Sequence, residues 1–186
     1  MQLNLHAIEH FSRANGPGRR AVIWFQGCNL GCPNCFNPLT HPADGGLLRD
    51  TEDLATEIRE LHPKIEGLSI SGGEPFQQPD ALFNLLQHLS GSGLSILIFS
   101  GYTLAEIQQQ PLGPSILPYI DVLIAGRYVN TRPVGHSLLG SANQTIHLVS
   151  DRYSLRDLQQ VPRREFILHG DGQVTSTGID PTNAGT

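Results

Sequence analysis

Cys28, Cys32 and Cys35 are the only cysteines in the 186-residue chain, and they fall within eight consecutive positions. Whatever fold forms must carry this one loop to a place where three thiols act together. A disulfide framework uses an even number of cysteines spread over the fold, so an odd, tight cluster points to reduced thiols kept for metal. The segment just before it, Arg20 to Gln26 (RAVIWFQ), is rich in β-branched and aromatic residues and stops at Gly27, which predicts a strand. The loop therefore sits at the C-terminal end of that strand, with Gly27, Gly31 and Pro33 supplying its turns. Soft thiolates favour iron–sulfur or zinc over hard cations. Three of them can hold three irons of a cubane and leave the fourth open, whereas a closed zinc site wants four ligands, for which His41 is the available candidate.

The rest of the chain alternates apolar runs with helical patterns. Leu3 to Glu9 is expected as a short edge strand, followed by further strands at Gly67 to Ile70, Leu94 to Phe99, Asp121 to Ile124 and Thr145 to Val149. Helices are expected over Glu52 to Leu61 (N-cap Asp50 or Thr51), over Asp80 to Leu89, from Thr103 with its capping-box partner Glu106, and over Ser154 to Gln160. Arg164 to Leu168 and Gln173 to Thr177, split by Gly170-Asp171-Gly172, read as a terminal hairpin. Strand and helix in turn imply βα units on a parallel sheet. A closed eight-unit barrel usually takes about 250 residues, so this chain is expected to form an α/β fold, an open, partial βα barrel of about five to six units. Its site belongs at the C-terminal ends of the strands. One domain over 1–178 and a tail over 179–186 are expected.

The bulk properties exclude several classes. A net charge of −5 and a pI near 5.8 give no global basic field, so nucleic acid is not expected as a partner. No apolar run approaches a membrane span and the N-terminus lacks a signal-peptide layout, so no membrane is expected and the cytoplasm is.

A second motif, Ser71-Gly72-Gly73-Glu74-Pro75, follows the second strong strand. Residues without a Cβ allow close approach of backbone to a ligand, and Glu74 adds an acceptor for an ammonium group. Taken singly the motif is a turn; paired with the cysteines one strand earlier it becomes specific.

Cys-x3-Cys-x2-Cys in a loop after the first strand resembles the radical S-adenosylmethionine (SAM) superfamily, and Gly-Gly-Glu-Pro after the next strand resembles its SAM-binding element. The resemblance implies a 4Fe–4S cluster on Cys28, Cys32 and Cys35 whose open iron chelates the methionine end of SAM. It also implies reductive cleavage of SAM to a 5′-deoxyadenosyl radical that abstracts hydrogen. Within the superfamily the chain is most similar to the activases of glycyl-radical enzymes, particularly those of anaerobic ribonucleotide reductase. Four stretches carry this: Asn15-Gly16-Pro17-Gly18-Arg19-Arg20 leading into Trp24-Phe25-Gln26-Gly27-Cys28; Cys35-Phe36-Asn37-Pro38; Phe99-Ser100-Gly101-Tyr102-Thr103; and Asp121 to Tyr128 followed by Gly140-Ser141-Ala142-Asn143-Gln144. The closing Ser176-Thr177-Gly178-Ile179-Asp180 adds to them. Two departures stand out. Ala125 replaces an Asp frequent in these activases, and Asn34 precedes the last cysteine where the superfamily often has an aromatic, with Phe36 following it instead.

The cofactor-binding residues expected on this basis are Asn34, Phe36, Gly72, Gly73, Glu74, Pro75, Ser100, Arg127 and Asn143, with Gln144 beside the last. Arg127 is the candidate for the SAM carboxylate. The scattered histidines, including His6, His10, His147 and His169, read as satisfied surface or core residues. The implied partners are a protein substrate, a glycyl-radical enzyme, and a low-potential electron donor such as flavodoxin or ferredoxin. A barrel too short to wall off a small substrate agrees with a loop delivered by another protein. The alternatives are radical modification of a peptide or small molecule, and a non-catalytic zinc scaffold.

Overall fold

The structure, a computed structural model, describes residues 1–134 and 138–179. In chain order the elements are β1 (Gln2–Ser12), β2 (Arg20–Phe25), β3 (Leu47–Asp50), α1 (Thr51–Glu60), β4 (Gly67–Gly72), α2 (Pro79–Leu89), β5 (Ser95–Ser100), α3 (Leu104–Gln109), α4 (Gly113–Ile116), β6 (Val122–Ala125), β7 (Thr145–Leu148), α5 (Leu155–Gln159), β8 (Arg164–Leu168) and β9 (Val174–Gly178). Seven strands form one sheet in the order β3-β1-β2-β4-β5-β6-β7, and β8 and β9 form a separate hairpin.

The expected open α/β sheet with a parallel centre is present. Its parallel run, β2, β4, β5 and β6, ends after three crossovers, short of the five to six units expected. β1, β3 and β7 are antiparallel additions at the edges. After β6 no helix intervenes before Thr145 among the described residues, so no further βα unit follows there, and β7 pairs with β6 antiparallel. Of the expected tail over 179–186, only Ile179 lies within the described residues.

Strand alternation divides the side chains between two faces. Ala21, Ile23 and Phe25 of β2, Leu68 and Ile70 of β4, and Ile96 and Ile98 of β5 pack on Leu54 and Ile58 of α1 and Leu82, Leu85 and Leu86 of α2, all buried in one core. The other face carries a smaller core of Leu97, Val122, Ile124, Leu138, Leu158 and Val161. Helix starts follow local chemistry. Asp50 caps α1 through Glu52 N at 2.9 Å, and Thr103 with Glu106 forms the expected capping box on α3.

At the N-terminal end of the parallel strands the inner face is closed by Arg20, which is fully buried. Its Nε donates to Ser69 Oγ at 2.8 Å, Nη1 to Ser95 Oγ at 2.8 Å, and Nη2 to the Leu68 and Ser95 carbonyls at 2.8 and 2.9 Å. One side chain thus ties β2, β4 and β5 together and plugs that end. The opposite end stays open.

Candidate active site

The cysteine loop grows out of β2 and is closed at its neck by a short ladder, with Gly27 N donating to Thr40 O at 2.7 Å and Cys28 N to His41 O at 3.1 Å. Gln26, 3% exposed, reinforces the neck by donating from Nε2 to the carbonyls of Leu39 and Pro42 at 3.1 and 2.7 Å. Just before the last thiol the backbone turns through a left-handed residue, Asn34, at φ 54°. Asparagine tolerates that conformation where a β-branched or bulky aromatic residue would be strained.

All three thiols are free, half-buried, and line one cleft of about 110 Å³. Burial pushes the Cys28 and Cys35 thiols up, and the neighbouring Glu74 and cysteine charges act in the same direction on Cys28. Thiols in such surroundings ionise against a cationic centre, and three soft donors with an open side fit a cluster that takes each thiolate on a different iron. A single tetrahedral zinc instead needs its ligands within about 2.0–2.3 Å of a common point.

Ser71, Gly72, Gly73 and Glu74 line the same cleft, but the reason for the glycines differs from the expectation. A Cβ on Gly72 would lie 2.6 Å from the Phe25 carbonyl oxygen, and one on Gly73 2.8 Å from the Gly27 carbonyl carbon. The missing side chains make room for β2 and the neck of the cysteine loop rather than for a ligand. Gly73 N donates to Phe25 O at 2.8 Å and Glu74 N to Gly27 O at 2.9 Å, so this segment is stitched to the residue before Cys28.

Glu74 lines the cleft as well, with its carboxylate already engaged. Its carboxylate is wholly buried and accepts from Phe76 N at 3.0 Å, Ser100 Oγ at 2.9 Å and Gly101 N at 2.7 Å. It clamps the ends of β4 and β5 together. Burial raises its pKa to about 7 against the opposing pull of those donors and of Arg127. Ser100, 5% exposed, relays the clamp by accepting from Tyr102 N at 3.0 Å. Pro75 is buried beneath it and opens a short 3-10 turn.

Arg127, Asn143 and Asn34 are placed outside the lining of the cleft. Arg127 Nη1 lies 2.9 Å from both Glu106 oxygens, and its guanidinium sits over the Tyr102 ring at 5.5 Å. It fastens α3 to the loop after β6 and does not line the cleft. The same pairing holds the Glu106 carboxyl down at about 2. Asn143 donates from Nδ2 to Arg127 O at 2.7 Å, while its buried Oδ1 has no hydrogen-bond partner. It is Gln144 that lines the cleft, donating to Gly126 O at 2.8 Å and accepting from Gly140 N at 2.8 Å. Asn34 is exposed and forms only the turn, whereas Phe36 lines the cleft with its ring 4.2 Å from that of Tyr128. Gly140 lets the ring in, since a Cβ there would lie 2.6 Å from Phe36 Cε2.

The cleft continues into a larger cavity of about 610 Å³ along the inner face, sharing Phe36, Asn37, Ser71, Phe99 and Ile179 with it. Trp24, Pro38 to Thr40, His6, Ala7, Asn15 and Thr175 to Gly178 of β9 also line it. Sequence reasoning passed over Trp24, Phe99 and Tyr128 as site residues. The available signal was alternation, which turns Trp24 to the face opposite Ile23 and Phe25.

Residues 14–147 match a protein family described as 4Fe-4S single cluster domain. The chain is 33% identical over 153 residues to the anaerobic ribonucleoside-triphosphate reductase-activating protein of Vibrio cholerae, covering 78% of this chain and 97% of that protein. It is 30% identical over 155 residues to the Escherichia coli protein of the same name, covering 78% and 98%. It is also 31% identical over 125 residues to the pyruvate formate-lyase-activating enzyme of Clostridium pasteurianum, covering 64% of this chain and 50% of that one.

Proposed function

Since the chain belongs to the anaerobic ribonucleoside-triphosphate reductase-activating proteins, within the 4Fe-4S single cluster domain family, we propose that it is a radical SAM enzyme that installs a glycyl radical on a partner enzyme. The observation that carries this is the meeting of three half-buried thiols with the Ser71–Glu74 backbone in one cleft at the C-terminal ends of β2 and β4.

Cys28, Cys32 and Cys35 would hold the 4Fe–4S cluster. With SAM bound, the cluster supplies one-electron reductive cleavage to a 5′-deoxyadenosyl radical able to abstract hydrogen. The chain's own residues do the positioning. Gly72 and Gly73 let their segment pack against β2 and the neck of the cysteine loop, which sets the wall of the cleft where the methionine end would lie, and Glu74 with Ser100 fixes the strand ends that carry it. Phe36, braced by Tyr128, gives a flat apolar wall suited to a purine ring. Arg127 and Asn143 act behind the cleft by holding the loop after β6, with Asn34 and Pro75 shaping the two motif turns.

The larger cavity opens from this cleft and is the place for a segment of the partner. Orientation decides whether hydrogen is taken from the target or from elsewhere, so the walls formed by Trp24, Phe99 and β9 serve to hold that segment and to exclude water. Asn29, Gly31, Pro33 and Asn34 are exposed at the tip of the cysteine loop. They give a low-potential donor such as flavodoxin or ferredoxin a short approach. Residues 1–178 act as one domain. No helix among the described residues is long and apolar enough to cross a membrane, and the reduced thiols suit the cytoplasm.

The test is to mix reduced, iron-loaded chain with SAM and the anaerobic ribonucleoside-triphosphate reductase of the same cell, without oxygen. The expected result is a glycyl-type EPR doublet on the reductase together with 5′-deoxyadenosine. Release of 5′-deoxyadenosine with a small molecule or short peptide alone, and no radical on the reductase, would transfer the reading to peptide or small-molecule modification.

A further inference from the structure

β1 is not a regular strand. Leu5 pairs with Phe25 and Ala7 with Trp24, so His6 is an extra residue set against a single step of β2, a bulge. In an unbroken strand, neighbours point to opposite faces. Here His6 and Ala7, adjacent in sequence, both line the cavity of about 610 Å³, while Leu3 and Leu5 are buried on the helix side. The bulge puts two consecutive residues on one wall.

The state of the imidazole follows from Gln26. Because Gln26 Nε2 donates to two carbonyls, those of Leu39 and Pro42, the amide has one satisfactory orientation. That orientation turns Oε1 to His6 Nδ1, 2.9 Å away. An amide oxygen can only accept, so Nδ1 carries the proton, and in the neutral ring Nε2 is left as an acceptor. Among the described residues nothing donates to it. A buried glutamine that also holds the neck of the cysteine loop thus sets both the orientation and the tautomer of a cavity-lining histidine.

We propose that His6 Nε2 recognises the delivered segment by accepting a hydrogen bond from a peptide N–H beside the target glycine, an assignment that rests on the activase reading above. An extended segment entering the cavity brings N–H groups stripped of water, and each needs an acceptor. The cavity suits such a ligand. Among the described residues His6 is its single ionisable lining residue, the other polar side chains there are hydroxyls, amides and the Trp24 indole, and none is a Lys or Arg to meet a phosphate or carboxylate.

The experiment compares wild type, His6→Phe and His6→Gln for glycyl-radical formation on the anaerobic ribonucleoside-triphosphate reductase of the same cell, with iron content measured on each. His6→Phe keeps a ring and removes the acceptor. It should raise KM for the reductase about five- to tenfold, as for one lost hydrogen bond, with kcat little changed and more 5′-deoxyadenosine released per glycyl radical. His6→Gln restores an acceptor and should recover most of the loss. Wild-type KM and coupling in His6→Phe would overturn the assignment. So would a fall in iron content that accounts for the defect, because His6 would then act only through Gln26 on the cysteine loop. If wild type itself cleaves SAM and leaves no radical on the reductase, the activase reading fails and this assignment falls with it, a result told apart by its appearance before any substitution.

Discussion

Replacing Gly73 with Ala tests whether the glycine pair serves the contact between strands. An alanine Cβ at this position would sit against the Gly27 carbonyl, 2.8 Å from its carbon and 3.1 Å from the Gly27 nitrogen. Comfortable carbon–carbon separation is about 3.5–4.0 Å, so Gly27 must retreat by on the order of 1 Å. Three hydrogen bonds pass through this point: Gly73 N to Phe25 O at 2.8 Å, Glu74 N to Gly27 O at 2.9 Å, and Gly27 N to Thr40 O at 2.7 Å. Overpacking of about 1–3 kcal/mol and one weakened buried hydrogen bond of about 1 kcal/mol together give roughly 2–4 kcal/mol. For a domain of this size that corresponds to a fall in Tm of roughly 5–15 °C. The displaced residue immediately precedes Cys28, so iron content after anaerobic reconstitution should fall with Tm. Gly91→Ala is the comparison. Nothing lies within 4 Å of its Cβ position, and with φ at 74° it should lose about 1 kcal/mol to backbone strain and no iron. Full iron content and an unchanged Tm in Gly73→Ala, with SAM affinity alone reduced, would refute the reasoning and return Gly73 to direct ligand contact.

Single replacement of Cys28, Cys32 or Cys35 by Ala should abolish the reduced-cluster EPR signal and SAM cleavage while circular dichroism stays native; stoichiometric zinc and no iron in reconstituted wild type would count against it. Glu74 gives a pH signature in the apo-protein. Its folded pKa of about 7 lies above the ordinary 4.5, so the folded chain binds the extra proton and stability falls as pH rises through that window, by roughly 3 kcal/mol. Subtracting the stability curve of Glu74→Gln from that of wild type should expose this slope, and a flat difference between pH 4.5 and 7 would show that burial does not dominate. Arg20→Ala should lower stability by on the order of 3 kcal/mol in urea unfolding, and a loss under about 1 kcal/mol would mean that the plug is dispensable.

What was legible in the sequence was local. The strand before Cys28, the Gly-Gly-Glu-Pro turn, the Thr103–Glu106 capping box and the terminal hairpin are each written in a few adjacent residues, and each is present. What was not legible depended on pairing between distant segments. β3 has four residues, too few for a period, and Leu47 and Leu48 stay largely exposed at 64% and 66%. It exists because Gln2 to Leu5 offer it an edge. Arg127 looked like a free cation after a strand, and only the fold brings it to Glu106, twenty-one residues earlier in the chain. Glu74 looked like an open carboxylate because the three donors that enclose it include Ser100, the last residue of another strand, and Gly101 just after it. His6 read as an ordinary strand residue, since a bulge is a property of the register with β2 and leaves no mark in β1 alone.

The inner face of the sheet shows how one end of the site is closed. A parallel strand covered on both faces normally reads as a continuous apolar run, and β4 breaks that pattern twice on the same side, at Ser69 and Ser71. Ser69 belongs to the closed end, accepting from Arg20 Nε at 2.8 Å and donating to Asn15 O at 2.6 Å. Ser71, one strand period further on, lines both the thiol cleft and the larger cavity. Two serines on one face therefore mark a plug and a site about 7 Å apart along the strand. With Arg20 held by β4, β5 and Tyr153, a ligand cannot come through the N-terminal end without breaking several buried hydrogen bonds. That leaves the end carrying the cysteine loop as the side from which the thiol cleft and the cavity beside it are reached.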